Sequence, residues 1–270
     1  MNAPLKHAVP AIRRIGPVNW IGVRTLYLKE VQRFVKVATQ TLLAPVVTTL
    51  LFLAVFALAL GGNARSVGDV PYVEFLAPGL VMMAIAQNAF ANTASSVLIS
   101  KVQGNIVDML MPPISAAEFT LAYAGAGATR GVAVGVVVAL AMTPFAGVGI
   151  AHPWAVAYYA FAAATMMSLL GLLGGLWADK FDHMAAVTNF VITPLAFLSG
   201  TFYSVERLPP IARAIAHMDP FFFMIDGFRF GFIGRADGSI VLGMVVLAGI
   251  DVALAALSYG LVSRGYKLKA

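Results

Sequence analysis

The chain has 270 residues, of which 60% are apolar and only 11% charged, where an ordinary soluble domain carries about 25% charge. So few charged side chains cannot clothe a water-soluble core of this size. The formal charge of +6 invites a nucleic-acid reading, but the distribution of Lys and Arg described below argues against it, and no nucleic-acid partner is expected. Cysteine is absent, which excludes disulfides and thiolate metal sites. His7, His152, His183 and His217 are scattered, and none sits in an H-x-x-x-H pair.

The charges that exist are grouped. None lies between Lys36 and Arg65, between Glu74 and Lys101, or between Arg130 and Asp179, and a further gap runs from His183 to Glu206. Each gap matches or exceeds the ~20 residues that cross a hydrocarbon core of ~30 Å. Within lipid the backbone must satisfy its own hydrogen bonds, so runs this long read as helices. The ~10-residue alternating strands of a membrane barrel do not occur in the pattern. The expected fold class is an all-α membrane protein.

In chain order, residues 1–17 are basic, polar and Pro-containing and read as a flexible tail. Residues 18–38 are amphipathic. Trp20, Val23, Tyr27, Val31, Phe34 and Ala38 recur at steps of three and four, with Lys29, Arg33 and Lys36 off the stripe, which suits a helix lying in the membrane interface. The alternative is an extension of the first span. The transmembrane domain occupies 39–270. Six spans are expected in it: Thr41–Leu60 ended by Gly61-Gly62, Glu74–Val97, Phe119–Met142 stopped by Thr143-Pro144, Pro153–Ala178, Met184–Thr201 and Ile240–Val262. The first apolar run starts too far in for a cleavable signal peptide and is long enough to remain as an anchor.

Two connections stand out. Ser100–Glu118 contains Pro112-Pro113 and is long enough for a short helix parallel to the membrane. Phe202–Ser239, with Leu208-Pro209-Pro210 and Phe221-Phe222-Phe223, is far longer than a hairpin needs. So apolar a segment is expected to dip back into the bilayer as a re-entrant helical loop before the last span.

Orientation follows from Lys and Arg. With six spans both termini share a side, which holds twelve basic residues, seven before the first span and then Lys101, Lys180, Arg264, Lys267 and Lys269. The opposite side holds Arg65, Arg207, Arg213, Arg229 and Arg235. Both termini are expected in the cytoplasm.

Polar residues within the spans are the candidates for function. A charge near the bilayer centre costs roughly 2.5–3.5 kcal/mol on insertion scales. Arg130 lies midway along the third span and Asp251 midway along the sixth. Two readings stay open for them: a structural pairing, direct or through backbone carbonyls, and a substrate or proton site. Asn88, Asn92, Ser95 and Ser96 share one face of the second span, either as interhelical hydrogen-bonding groups or as the wall of a wet pathway. Gly127, Gly131 and Gly135 in the third span and Gly171 and Gly175 in the fourth read as close-packing sites. In the outer loop Asp226 and Arg229 stand three apart and read as a helix-surface pair. An intramembrane serine protease would need a His beside a residue such as Ser199, and every His falls outside the expected spans. Asp179, Asp182 and His183 read as a solvated turn, not a metal site.

Phe75-Leu76-Ala77-Pro78-Gly79-Leu80, Ala91-Asn92-Thr93-Ala94-Ser95-Ser96, Arg130-Gly131 and Thr193-Pro194-Leu195 carry a resemblance. Ser199-Gly200-Thr201-Phe202-Tyr203-Ser204, Leu208-Pro209-Pro210 and Gly227-Phe228-Arg229-Phe230-Gly231-Phe232 extend it over nearly the whole chain. In this order they resemble the permease subunits of ABC-2 type ATP-binding-cassette exporters, of the YadH-like inner-membrane kind, related to nodulation-factor and capsule or O-antigen export permeases. The resemblance implies a half-transporter in a bacterial inner membrane. Two permease copies would pair as a homodimer, and two copies of a separate ABC ATPase would bring ATP and Mg, with no cofactor on this chain. No Gly-Lys dipeptide, and so no Walker A loop, occurs in the sequence. It also implies a coupling helix in Lys101–Pro113, centred on Gly104, Asn105, Asp108 and Leu110. It further implies that the second and fifth spans lie near the dimer axis, so that Asn189, Thr193, Phe197 and Gly200 on the fifth could form a pathway wall facing the stripe, and Pro194 should bend that helix. Such walls suit lipids, lipid-linked saccharides or hydrophobic drugs. The rival is an ion-coupled carrier relaying through Arg130 and Asp251, although no internal repeat of the kind such carriers show is visible.

Overall fold

The structure, a computed structural model, describes residues 16–60, 66–67, 69–147 and 149–268. Most of the expected tail, the Gly61-Gly62 terminator and the side chain of Leu110 lie outside the described residues. In chain order come α1 (Trp20–Val35), α2 (Ala38–Leu60), a two-stranded antiparallel ribbon of β1 (Ser66–Val67) and β2 (Val70–Pro71), α3 (Tyr72–Val102), α4 (Ile106–Leu110), α5 (Ala116–Ala146) and α6 (Pro153–Trp177). There follow α7 (Phe181–Val187), a π-helical turn at Thr188–Ile192, α8 (Thr193–Leu198), α9 (Pro210–Met218), α10 (Pro220–Ile233) and α11 (Ile240–Ser263). Six helical segments are long and apolar enough to cross a bilayer: α2, α3, α5, α6, the α7–α8 unit and α11. This is an all-α membrane protein with six transmembrane helices.

The bundle is organised around α3, which packs along both α5 and α6. Close approach is made possible by glycine. A Cβ on Gly131 would stand 2.8 Å from that of Ala89, and one on Gly175 3.0 Å from the Ala94 carbonyl oxygen. Opposite Gly127, the Thr93 and Ser168 hydroxyls hydrogen-bond each other at 2.7 Å in a fully buried space. With no hydrophobic drive between helices in lipid, such contacts supply dispersion and polar satisfaction.

Two proline positions differ in outcome. The third span does not stop at Thr143-Pro144: α5 runs on to Ala146 and ends at Gly147, whose φ of 61° is open to glycine. So near the end of a helix, Pro144 removes only one donor. In the fifth span the structure answers Pro194 with a π turn, in which the Thr193 N–H donates to the Thr188 carbonyl five residues back.

α1 turns Val23, Leu26, Glu30 and Phe34 inward against the bundle and leaves Trp20 67% exposed. Its inner face is thus rotated from the expected stripe. Glu30, which the expected stripe did not include, is buried, with Lys29 and Arg33 approaching its carboxylate at 3.4 and 3.2 Å.

The long outer connection holds α9 and α10. α10 is buried nearly all round against α3, α6 and α11, and Gly227 lets it lie directly on the Tyr159 ring. Its 14 residues reach about 21 Å, short of the ~30 Å of a full crossing.

Candidate functional site

The end of the bundle where α1 begins and α11 ends is tied together by a few charged groups. Lys101, in the last turn of α3, donates to the carbonyls of Leu176 and Ala178 at 2.7 Å each. Lys267 donates to Trp177 O and to Asp179 Oδ2, both at 2.8 Å. Cations at the C-terminus of α6 answer its unsatisfied carbonyls and its dipole. The Lys267 ammonium bonded to Asp179 holds that carboxyl below the usual carboxylate range. Glu118 closes a capping box with Ser115 at the start of α5 and also accepts from the Asn19 N–H that opens α1, at 2.5 Å. The Asn19 side chain donates to Pro113 O at 3.0 Å.

Between these anchors stands α4. Gly104, at φ 74°, breaks it from α3. Ile106 is buried, and Tyr123 donates to the Met109 sulfur at 2.9 Å. Gly104, Asn105, Val107, Asp108 and Met111 are exposed, so a short helix is held by one face and presents an apolar face with one carboxylate. Beside it, α1, α4 and the end of α3 enclose a cavity of about 1100 Å³ whose lining includes Lys29, Arg33, Ser96 and Asp108.

Deeper in the bundle lies the polar face of α3. Asn92 is buried, and its Oδ1 accepts from Arg33 at 2.9 Å and from Arg130 at 3.4 Å. Arg33 also reaches Asn92 O at 2.6 Å and Ser95 Oγ at 3.4 Å, and Arg130 reaches Asn88 Oδ1 at 3.3 Å. The stripe therefore exists as one face, but two arginines from α1 and α5 cover part of it. Sequence reasoning placed Arg33 off the working face. Its three-residue spacing from Glu30 was the available signal, since that carboxylate orients it inward.

Three arrangements that the sequence left open are not formed within the chain. Arg130 and Asp251 do not form an ion pair: Arg130 turns to α3, and Asp251 Oδ1 is buried without a hydrogen-bond partner among the described residues. α5 and α11 pack on each other, yet no ion pair joins the two charges. Asp226 and Arg229 do not pair either. Asp226 accepts from the N–H groups of Asp237 and Gly238 at 2.8 and 2.9 Å. Arg229 donates to Phe75 O at 3.2 Å and Gly200 O at 2.6 Å and lies 3.8 Å above the Phe75 ring. Each satisfies orphan backbone groups at the far end of the bundle, which secures the loop. Finally, the fifth span does not face the α3 stripe within one chain. Asn189 is exposed, Thr193 is half-buried, and Phe197 stacks on Phe202 at 4.8 Å. The cleft next to Asn88 is walled by α2, α3 and α5.

Six apolar spans packed through glycine contacts, with most charges gathered at their ends, define a polytopic α-helical membrane protein. The chain belongs to the ABC-2 type transporter family, whose model matches residues 22–233. It is 37% identical over 254 residues to the inner membrane transport permease YadH of Escherichia coli K12, covering 93% of this chain and 98% of that protein. It is also 26% identical over 238 residues to nodulation protein J of Neorhizobium galegae, covering 86% and 88% of the two chains. With nodulation protein J of Rhizobium leguminosarum bv. trifolii it shares 28% identity over 226 residues, 79% and 81% of the two.

Proposed function

We propose that this chain is the permease subunit of an ATP-driven ABC-2 type exporter in a bacterial inner membrane, with both termini cytoplasmic. It pairs with a second copy, and two copies of a cytoplasmic ABC ATPase supply ATP and Mg. Its cargo is an amphipathic molecule (a lipid, a lipid-linked saccharide or a hydrophobic drug) carried out of the cytoplasm or inner leaflet.

The observation that carries this reading is α4. An apolar surface of Val107 and Met111 around Asp108, exposed at the end where α1 begins and α11 ends, suits a protein groove better than water. The absence of a phosphate-binding loop from the sequence calls for another subunit if ATP drives transport. The anchoring of α4 supports transmission. A push on it passes through Met109 to Tyr123 of α5, and through Pro113 to Asn19 of α1. α1 in turn holds Arg33 against α3. The amphipathic α1 lies in the inner interface, α9 in the outer one, and α10 forms a re-entrant helix that closes the outer mouth.

The test is transport in inverted membrane vesicles containing the chain with and without a co-expressed candidate ABC ATPase. Accumulation that needs the ATPase and stops on ATP depletion supports the proposal. Accumulation that survives without the ATPase and collapses with an ionophore identifies an ion-coupled carrier instead.

A further inference from the structure

Arg130 poses a charge problem. It stands midway along α5 and is half-buried, and no carboxylate of the described residues lies within 4 Å of it. Its contacts are two neutral amide oxygens at 3.3 and 3.4 Å, and its Nε has no hydrogen-bond partner among the described residues. Even a half-buried cation is costly where no counter-charge offsets the water it has lost. The neighbouring Arg33 differs, because Glu30 balances it at 3.2 Å.

The space before Arg130 is a cleft of about 440 Å³ between α2, α3 and α5. Gln40, Thr41, Thr48, Gln87 and Asn88 line it with neutral hydrogen-bonding groups, and Phe52, Leu80 and Met83 make an apolar side. Among the described residues no Asp or Glu lines it. We infer that this cleft binds the anionic headgroup, of phosphate or carboxylate type, of an amphipathic molecule, with Arg130 as its cation. The neutral donors of the lining complete the headgroup's hydrogen bonds, and the apolar side receives the start of its tail.

Asn92 fits this role. It bridges Arg33, which lines the cavity of about 1100 Å³ beside α4, to Arg130 in the upper cleft. A carboxylate at that position would neutralise both arginines, whereas an amide positions them and leaves Arg130 free to take an external anion. A neutral or cationic headgroup would leave Arg130 uncompensated. This inference rests on the reading of the chain as a permease for amphipathic cargo and gives that cargo a charge.

The experiment measures binding of radiolabelled dodecyl phosphate to the purified full-length chain, without ATPase, in dodecyl maltoside, a neutral amphiphile already in excess. Saturable binding is expected, weakened on the order of tenfold or more by Arg130→Gln and much less by Arg130→Lys. Arg24→Gln, an exposed cation on α1, leaves it unchanged. Asn92→Asp, which supplies an internal carboxylate, weakens binding while thermal unfolding shows the fold retained. This second variant keeps the test decisive if Arg130→Gln fails to fold. Dodecyltrimethylammonium and millimolar inorganic phosphate should not compete. Binding indifferent to both substitutions overturns the inference. So does equal competition by inorganic phosphate, which would make the site one for a free anion. Loss of ATP-dependent transport with dodecyl phosphate binding intact would count against the proposed function instead.

Discussion

Lys101 offers a direct test of how α4 is held. Its ammonium, 13% exposed, makes two short bonds to the carbonyls of Leu176 and Ala178 and a weaker one to Gly175 O at 3.4 Å. Lys101→Met keeps the volume and removes the donor. Taking the lower end of the range for hydrogen bonds to charged groups, two bonds amount to about 3 kcal/mol. Water reaching the freed carbonyls at the end of α6 returns about 1 kcal/mol, and the ion pair to the exposed Asp179 adds little. A net loss of about 2 kcal/mol raises the local opening constant about thirtyfold. Hydrogen exchange of the detergent-solubilised protein should show that acceleration over 99–111 and 175–180, with the centres of α5 and α6 unchanged. Coupled transport per ATP should fall as α4 loses its anchor. An acceleration below about threefold would refute the reasoning, and uniform acceleration through the bundle would show that Lys101 supports the whole fold.

Asp108→Arg should insert and fold normally yet leave ATP hydrolysis by the co-expressed ATPase uncoupled from transport; unchanged transport would count against α4 as the docking helix. Arg229→Gln should lower stability by about 3 kcal/mol and Arg229→Lys by roughly half of that, seen as a falling thermal midpoint, because two buried carbonyls and the Phe75 face lose their partner. Gly227→Val should cost about 1–3 kcal/mol by driving a side chain into the Tyr159 ring, measured by the same thermal assay. The charge swap Arg130→Asp with Asp251→Arg should fold no better than either single change, and rescue by the swap would show that the two groups meet.

Length and composition were enough for the six spans, because lipid permits few backbone solutions and punishes charge within them. They were less able to say which face of each helix turns inward. In water the apolar face is the buried one, whereas in a bilayer both destinations are apolar. Here the relation inverts. The most apolar spans, α2 and α11, bury 11% of their apolar stretches, and the more polar α3 buries 78%, although the still less apolar α7–α8 unit buries only 17%. On α3 the polar residues mark the inside, and this is why the face from Asn88 to Ser96 was legible in the sequence. Its partners were not. Arg33 comes from a helix whose basic residues looked like surface, and it meets Asn92 across 59 positions of sequence. Asp226 and Arg229 followed the spacing of a surface pair, but α10 is buried, and there each meets a backbone group that no spacing rule names. An in-plane charge pair between Arg130 and Asp251 required equal depth, which sequence supplies. It also required facing azimuths, which depend on where Gly127 and Gly131 let α3 dock. Those glycines put Arg130 against α3, and so the same contacts that pack the core leave its charge turned toward the cleft.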